Sequence, residues 1–540
     1  MPRAKIPTKA ELIQLQRLYK TDEKIAERLG GTTPQLVAYW RRKKNIPRHA
    51  FPKFSEAEIR EIWERFGDDY RCGLELGISK AAFYNWRRKY GLKNRPAFLK
   101  LEQLELNLGE PTLAVGRKYN YGRQTIAQKI FSARAELEKV ETGETICVEP
   151  DLAVSPNDSG LVAQYFRDNG YTYVWNPSRI IISLDQTLSF ETEKAPAVNK
   201  SLREFVKKQN IKYFYDIGEG ACHQMVLENG QILPGQFAIG TDSYINSYGS
   251  IGAYASSISA AEMAVVWATG RVSLAVPETV KIIINGKSSR AVFAKDIALF
   301  VAGSLRSEII LNKVIEFYGP TVAQMSISER FTLCHYTAGI GATAGICSFD
   351  AVSRRYLLGR TKMPYRPALA DKDALYNGIY EFNIAHVIPQ IARPGKMDNV
   401  SAVSELEGLP INQVIIGSCA GGRFEDLRIV ADIIKGKKIN SDVRMLIYPA
   451  SRAVYLEALR KGLIRAFVEA GALVMNPGCG PCKGFDHGLL AAGEKCLTTT
   501  ARSSGVDADN ANGETYIVSP ATAAASALRG VITNPTGFVK

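Results

Sequence analysis

From Leu161 onward the chain alternates short apolar runs with longer stretches that suit helices. The runs are rich in β-branched and aromatic residues, and in chain order they read YTYVW, RIIISL, FAIGT, VKIIIN, QVIIGS, RMLIYP and ALVMNP. Ala-rich segments separate them. This alternation predicts an α/β region of parallel sheets with helices on both faces. In such a region the chemistry belongs in the loops that follow the strand ends.

Residues 1–137 carry a different pattern, with apolar positions at helical spacing and an internal repeat. The segment AERLGGTTPQLVAYWRRKKNIPRH, from Ala26, is echoed by GLELGISKAAFYNWRRKYGLKNRP, from Gly73. Helical segments KAELIQLQRLYK and SEAEIREIWERFG precede the copies, and Thr33 and Ser79 can each cap the helix that ends in Trp-Arg-Arg. We expect a small all-α domain of helix-turn-helix-like repeats, with a weaker third unit in the run LAVGRKYNYGRQTIAQKIFSARAEL.

The remaining boundaries follow from composition. Residues 138–160 are acidic and polar and contain two prolines, so we interpret them as a linker. Residues 161–540 then form the α/β region.

Positive charge is concentrated at the N-terminus. Residues 1–100 hold 23 Lys and Arg against 11 Asp and Glu, whereas the remainder holds 45 against 43. A basic segment on an otherwise neutral protein is typical of a partner for a polyanion. In a helix-turn-helix the second helix enters the major groove of DNA.

The repeats therefore supply candidate nucleic-acid contacts. We expect Gln35 and Lys80 to read bases, together with the capping Thr33 and Ser79. The arginines at the ends of the second helices are candidates for phosphate contacts or for packing: Arg41, Arg42, Arg87 and Arg88. The alternative is a helical docking module whose basic face is solvated.

Cysteine usage and hydropathy indicate the compartment. The chain has 540 residues and nine cysteines at irregular spacing, which argues against a secreted disulfide framework and fits a reducing compartment. No apolar stretch is long enough to span a membrane, and the polar start MPRAKIPTKAEL does not resemble a signal peptide. We expect a cytoplasmic protein.

Three of the cysteines suggest a metal cluster. Cys419 lies in IIGSCAGGRFEDLR, and Cys479 and Cys482 lie in NPGCGPCKG. Three thiolates can hold three corners of a cubane iron–sulfur cluster and leave the fourth iron open as a Lewis acid. A redox pair or half a zinc site is the simpler interpretation of Cys-x-x-Cys taken alone, but the Pro/Gly turn disfavours the first and the lack of a second such pair disfavours the other.

These motifs, taken with others in the same order, resemble a known family. IGSC with GRFEDLR, PGCGPC, GEKCLTTTAR, GACHQMVLENGQILPGQFAIGTDSY, VPETVKIIINGKSSRAVFAKDIAL and FTLCHYTAGIGATAGI are similar to the large subunit of the aconitase and 3-isopropylmalate dehydratase family. The resemblance covers residues from about 150 to the end. It implies a three-lobed α/β/α catalytic region and a 4Fe–4S cluster held by Cys419, Cys479 and Cys482.

The same resemblance implies roles for further residues. His223 and Asp242 match a His–Asp pair of the family, and Asp185 falls where the family has an Asp–His dyad. Arg502 falls where an arginine binds substrate carboxylate. Ser243, beside Asp242, and Gln186, beside Asp185, are the other candidate substrate contacts.

Departures from the family pattern bear on the substrate. Gln186 replaces the dyad histidine, Tyr244 replaces the histidine of GTDSH, and Gly339 falls where a glutamate is usual. His335 stands where the family has asparagine, and it is a titratable group that can take over part of the acid–base work. We therefore expect a small hydroxy acid with fewer carboxylates than citrate, and neither citrate nor 3-isopropylmalate.

Two functions remain open at the level of the sequence. The first is a hydro-lyase or isomerase that needs a separate small subunit, because the family's mobile swivel domain does not follow RGVITNPTGFVK. The second is an iron–sulfur regulator that senses through the cluster and binds DNA through the repeats. The His223–Asp242 pair favours the enzyme, because a pure sensor has little use for it.

Overall fold

The computed structural model describes residues 7–19, 21–30, 32–47, 54–76, 78–92, 98–101, 123–156, 158–185, 195–483, 488–501 and 513–539. The chain divides into two compact units, Met1–Arg95 and Pro96–Lys540. Across the described residues, no helix combines the length and the apolar character that crossing a bilayer requires.

The N-terminal unit contains two modules of three helices. Their bounds are α1 (Lys9–Tyr19), α2 (Asp22–Leu29) and α3 (Pro34–Lys43), then α4 (Glu56–Phe66), α5 (Asp69–Glu75) and α6 (Lys80–Lys89). Each module has its own apolar cluster, built around Val37 and Trp40 in the first and around Trp63 and Phe83 in the second. The repeat seen in the sequence is thus a repeat of structure.

Local capping explains where these helices begin. The hydroxyls of Thr33 and Ser79 accept hydrogen bonds from the backbone amides of Leu36 (3.3 Å) and Ala82 (3.2 Å), as the sequence predicted. Because these hydroxyls serve as caps, they are less suited to reading bases than Gln35, which is exposed in the first turn.

In each module a buried arginine of the third helix binds an aspartate at the start of the second helix. Arg41 Nε and Nη2 each lie 3.1 Å from an oxygen of Asp22, and Nη1 donates to the carbonyl of Ile46. Arg87 pairs with both oxygens of Asp69 at 2.8 and 3.0 Å and donates to the carbonyl of Leu92. The structure therefore gives Arg41 and Arg87 the packing role and removes them from the candidate phosphate contacts.

The boundary between the units differs from the expected one. The helix predicted for a third repeat, α7 (Ile126–Arg134), is buried in the C-terminal unit, where Phe131 contacts the rings of Phe237 (5.0 Å) and Tyr254 (4.8 Å). Residues 138–160, expected as a linker, contain two strands of that unit. The amphipathic pattern of α7 did not distinguish a repeat helix from a core helix.

The C-terminal unit is an α/β structure. Its strands are β1 (Phe98–Leu101), β2 (Thr145–Val148), β3 (Leu152–Ser155), β4 (Ile180–Ser183), β5 (Tyr213–Tyr215), β6 (Phe237–Gly240), β7 (Tyr254–Ser257), β8 (Val272–Ala275), β9 (Thr279–Asn285), β10 (Val314–Tyr318), β11 (Ala344–Cys347), β12 (Gly378–Asn383), β13 (Gln390–Ala392), β14 (Val400–Ala402), β15 (Gln413–Gly417), β16 (Arg444–Tyr448), β17 (Leu473–Val474), β18 (Lys495–Thr498) and β19 (Glu514–Val518). Its helices after α7 are α8 (Ser159–Asp168), α9 (Ala195–Lys208), α10 (Cys222–Glu228), α11 (Ala260–Thr269), α12 (Ala294–Ile310), α13 (Pro320–Gln324), α14 (Ile327–Gly339), α15 (Ala351–Leu357), α16 (Ser418–Gly421), α17 (Phe424–Ile434), α18 (Arg452–Arg460), α19 (Leu463–Ala470) and α20 (Pro520–Arg529).

Three larger sheets organise these elements within the described residues. The first has the order β5-β4-β3-β6-β7 and is parallel throughout. The second has the order β1-β12-β9-β10-β11, with β1 antiparallel, and the third has the order β14-β13-β19-β18-β15-β16-β17. A short antiparallel pair, β2-β8, stands apart. Three sheets with covering helices confirm the predicted three-lobed α/β/α architecture.

Six of the seven apolar runs named in the sequence form strands, and YTYVW does not. In that run the amide of Val174 donates to the side chain of Gln209 (3.1 Å) and the amide of Trp175 to the carbonyl of Trp267 (2.7 Å). Tyr173 is 79% exposed. The backbone amides of Val174 and Trp175 therefore bond to Gln209 and Trp267 and not to a neighbouring strand. Both partners are distant in sequence.

Replacing Arg87 with Gln should destabilise the second N-terminal module, because it leaves Asp69 without its buried partner. We expect a loss of about 2–3 kcal/mol, the scale of hydrogen bonds to a charged group, measured as faster hydrogen exchange in α4, α5 and α6 of the full chain. The neighbouring exposed Arg88→Gln variant is the matched control and should exchange like the wild type. Equal exchange in the two variants would show that the ion pair does not hold the module together.

Candidate active site

The candidate residues follow strand ends in two different sheets. Asp185 comes two residues after β4, Asp242 two residues after β6, and Cys419 two residues after β15. Cys479 lies in the turn after β17, just before a short 3-10 helix, Gly480–Lys483, that contains Cys482. The carboxyl ends of parallel strands in the first and third sheets thus meet at one place.

The backbone around the cysteines is specialised. Ser418, directly before Cys419, has a positive φ of 66°, which is rare for a residue with a side chain and marks local strain. Gly480 has a φ of 58°, and a Cβ on it would lie 2.7 Å from the ring of Tyr448. Only glycine allows the Cys479–Cys482 turn to pack this closely on β16.

Cys419 and Cys479 are buried and in direct contact. A hydrogen bond from the Cys479 thiol lowers the pKa of Cys419 to about 7, although burial opposes the shift. The same bond, together with burial, raises the pKa of Cys479. A thiol that loses its proton this readily is suited to bind a metal as thiolate.

Asp185 connects the cysteine turn to the helix that carries His223. Its carboxylate accepts from the backbone amide of Cys222 (2.9 Å) and lies 3.4 Å from Cys479 Sγ. Its carbonyl accepts from the amide of Cys479 (3.3 Å). One residue therefore fixes two segments that are far apart in the chain.

His223 is held between two oxygen atoms. Its Nε2 lies 3.4 Å from Asp242 Oδ1 and its Nδ1 lies 3.3 Å from the hydroxyl of Tyr248. Burial alone lowers the pKa of this imidazole, but the hydrogen bond and the charge of Asp242 outweigh burial and raise it. The pair matches the sequence prediction, whereas Tyr248 was not predicted because it lies in a 3-10 helix, Ser243–Ile251, without a recognisable pattern.

His335 does not have the environment expected of an acid–base residue. Its ring stacks on Tyr244, with centroids 4.4 Å apart, and on Phe331 at 5.5 Å. Burial and the neighbouring His223 and Arg423 lower the pKa of His335 well below its usual value, which disfavours the protonated imidazolium form. Among the described residues its Nδ1 has no hydrogen-bond partner. This environment disfavours His335 as a cationic proton donor, and its predicted share of the acid–base work stays a prediction.

Three side chains donate hydrogen bonds to consecutive backbone carbonyls in the segment just before Arg502. Lys295 Nζ donates to the carbonyl of Thr499, the Tyr336 hydroxyl to Thr500 (3.4 Å) and the Tyr244 hydroxyl to Ala501 (3.0 Å). Tyr244, a departure from the family, therefore has a structural role.

The structure describes only one of the remaining candidate substrate contacts, Ser243. Ser243 is exposed beside Asp242. Arg502 and Gln186 lie outside the described residues, so their predicted roles as substrate contacts stay predictions.

Two buried cations near Cys419 were not recognised from the sequence. Arg423 donates to the carbonyl of Cys419 (2.7 Å) and to the hydroxyls of Ser328 (2.8 Å) and Thr332 (2.6 Å). Burial lowers the pKa of Lys295 to about 7. Arg423 lies in the motif GRFEDLR, and Lys295 lies in the segment AVFAKDIAL. A sequence motif does not predict whether a charged side chain is buried.

The donor set fits an iron–sulfur cluster. All three thiols are buried, Cys419 is bonded to Cys479 and has a low pKa, and Cys482 lies close enough to Cys479 to raise its pKa. Thiolate is the usual protein ligand of such clusters. Within the described residues, no three potential ligands surround a single ion position. A cluster does not require that arrangement, because each thiolate binds a different iron.

Comparison with known proteins shows which family the chain is similar to. The profile of the aconitase family (aconitate hydratase) matches residues 172–409 and 396–530. The 3-isopropylmalate dehydratase large subunit 1 of Methanopyrus kandleri is 38% identical over 417 residues, which cover 77% of this chain and 100% of that protein. The corresponding large subunit of Aquifex aeolicus is 37% identical over 423 residues, covering 77% and 98%. The probable methanogen homoaconitase large subunit of Methanosarcina mazei is 39% identical over 390 residues, covering 71% and 98%.

Replacing Lys295 with Met should remove a pH dependence from the stability of the metal-free protein. The folded pKa of about 7 lies below the ordinary value for lysine, so the unfolded chain binds more protons between about pH 7 and 10. The stability of the wild type should therefore rise with pH across this window, by on the order of 3 kcal/mol relative to Lys295→Met in urea unfolding. The exposed Lys461→Met variant should behave as the wild type. Parallel curves of stability against pH for the wild type and Lys295→Met would contradict the lowered pKa of Lys295.

Proposed function

The chain belongs to the aconitase family of hydro-lyases, and we propose that it removes water from, or adds water to, a small hydroxy acid with the help of a 4Fe–4S cluster. Cys419, Cys479 and Cys482 would hold that cluster. The observation that supports this most strongly is the meeting of Cys419, Cys479 and Asp185 at the ends of two sheets. When bound, the cluster supplies an iron without a protein ligand, which acts as a Lewis acid on the substrate hydroxyl.

His223 is the proposed proton donor to the leaving hydroxyl. Its pKa is raised through Asp242, so a larger fraction of the imidazole is protonated near neutral pH. Asp242 also accepts from the amide of Tyr244 (2.9 Å), and this second bond fixes the carboxylate that orients the ring. The distances of 3.3 and 3.4 Å to Tyr248 and Asp242 are long, and such contacts shorten when substrate is bound.

The substrate and the partner are narrower proposals. Relatives are named large subunits of 3-isopropylmalate dehydratase and of homoaconitase. We propose that this chain likewise acts with a small subunit that carries a swivel domain. The Tyr244 hydroxyl is bonded to Ala501, and its ring is stacked on His335, so the group that replaces the family's histidine is occupied within the protein. This supports a substrate other than citrate or 3-isopropylmalate.

A reducing compartment suits the proposed site. Cys419, Cys479 and Cys482 are free thiols, and iron–sulfur ligands need to remain reduced until the cluster binds. We propose a cytoplasmic location on this basis.

A regulator is the second candidate function. It would sense iron, oxidant or a metabolite through the cluster and bind nucleic acid through the N-terminal unit. The specific observation in its favour is the separate unit of two repeated modules in the most basic part of the chain. The retained His223–Asp242 pair places the hydro-lyase first.

Replacing Cys479 with Ser should remove most of the bound iron. Anaerobically purified wild type should contain close to four iron atoms per chain, measured by metal analysis and visible absorption. The buried Cys496, in β18, offers the matched control, and Cys496→Ser should keep its iron. Stoichiometric zinc without iron in the wild type would refute the cluster.

Replacing His223 with Ala should lower turnover by roughly 10²-fold or more, the usual scale for a positioned general acid. The cluster spectrum should be unchanged. The exposed His386→Ala variant should be as active as the wild type. Unimpaired turnover in His223→Ala would remove this residue from the mechanism.

Citrate and 3-isopropylmalate should be poor substrates of this chain in complex with its small subunit. Steady-state assays of both acids, beside hydroxy acids with fewer carboxylates, measure this directly. Efficient turnover of either one would show that Tyr244 and Gln186 leave the family's substrate recognition intact.

A further inference from the structure

Charge is divided unevenly among the helices of the N-terminal unit. The third helix of each module, α3 (PQLVAYWRRK) and α6 (KAAFYNWRRK), contains no acidic residue and ends in three basic ones. The four other helices each contain acidic residues. The same helix of both modules is therefore the basic element of the unit.

Only some of these basic side chains are free to meet a partner. Arg41 and Arg87 are buried and paired with Asp22 and Asp69. Their chain neighbours point outward, and the exposed set in the last turns is Arg42, Lys43, Arg88 and Lys89. These four residues, which we call the basic helix ends, occupy equivalent positions in the two modules.

The first turns of the same helices carry exposed polar groups. Gln35 is exposed in α3, one and two turns before the exposed Tyr39 and Arg42, and Lys80 opens α6. Residues at this spacing share one face of a helix. A helix about 10–12 Å across fits the major groove of B-DNA, which is about 12 Å wide.

We infer that α3 and α6 bind duplex DNA in the major groove, with the basic helix ends on phosphates and Gln35 and Lys80 facing base edges. This inference rests on the nucleic-acid function proposed for the N-terminal unit and assigns that function to particular residues. The repetition of the same charged positions in two modules favours a repeating polyanion over an acidic protein. Basic side chains on phosphates position a protein, and the polar first turn reads sequence.

The test measures binding of the full chain to a fluorescent DNA duplex over a range of salt concentrations. The double variant Arg42→Gln/Arg88→Gln removes one of the two positive charges that each module contributes to the basic helix ends. Its affinity near 0.1 M salt should fall roughly 10- to 100-fold, and the slope of log K against log salt should become shallower by about two.

The matched control is Lys9→Gln/Arg60→Gln. It removes the same charge from exposed positions on α1 and α4 of the same modules. It should bind with nearly wild-type affinity and slope. Thermal unfolding and circular dichroism of both double variants verify that the modules remain folded.

Each other outcome overturns a defined part of the account. Absence of duplex binding by the wild type at low salt would reject nucleic-acid binding by this unit altogether, and with it the regulator. An equal loss in both double variants would show attraction by net charge alone and reject the assignment to α3 and α6. Equal binding to poly-glutamate would identify the unit as a docking module for acidic proteins.

Discussion

The hydrogen bonds of Asp185 are the constraint on which the rest of the site depends. Its carboxylate binds the amide at the start of α10 and contacts the Cys479 thiol, while its carbonyl accepts the amide of Cys479. The ends of the first and third sheets are also joined nearby, where the amide of Ala221 donates to the carbonyl of Ala450 (2.8 Å) and the amide of Arg452 to the carbonyl of Glu219 (2.8 Å). Asp185 adds the direct link from α10 to Cys479, and it therefore helps to set the position of His223 relative to this cysteine.

Burial around that anchor determines the chemistry. Burial lowers the pKa of Lys295 to about 7, and it is also the main cause of the lowered pKa of His335. His223 escapes this effect because Asp242 lies beside it. Between the buried histidines of the described residues, the pKa is raised for His223 and lowered for His335, and this difference favours His223 as the acid.

Local and family-like signals predicted most of the architecture, and tertiary contacts decided the rest. The caps Thr33 and Ser79 and six of the seven strand runs are short-range features, and the structure contains them where the sequence placed them. Arg41 and Arg42 are adjacent and chemically identical, yet one is buried on Asp22 and the other is exposed. Which of them turns inward depends on the neighbouring helix, as the fate of YTYVW depends on Gln209 and Trp267. The burial of Arg41 and the conformation of YTYVW could therefore not be predicted from the local sequence.

The central claim is that three cysteines of this chain hold a cluster with one distinct iron that meets the substrate. Mössbauer spectroscopy of the full chain loaded with ⁵⁷Fe tests it most directly. The account predicts three iron sites of one kind and a fourth that differs, because three thiolates leave one iron without a cysteine. The fourth site alone should shift when a hydroxy acid that is turned over is added. Four equivalent sites, or a spectrum that no hydroxy acid changes while turnover proceeds, would contradict the account.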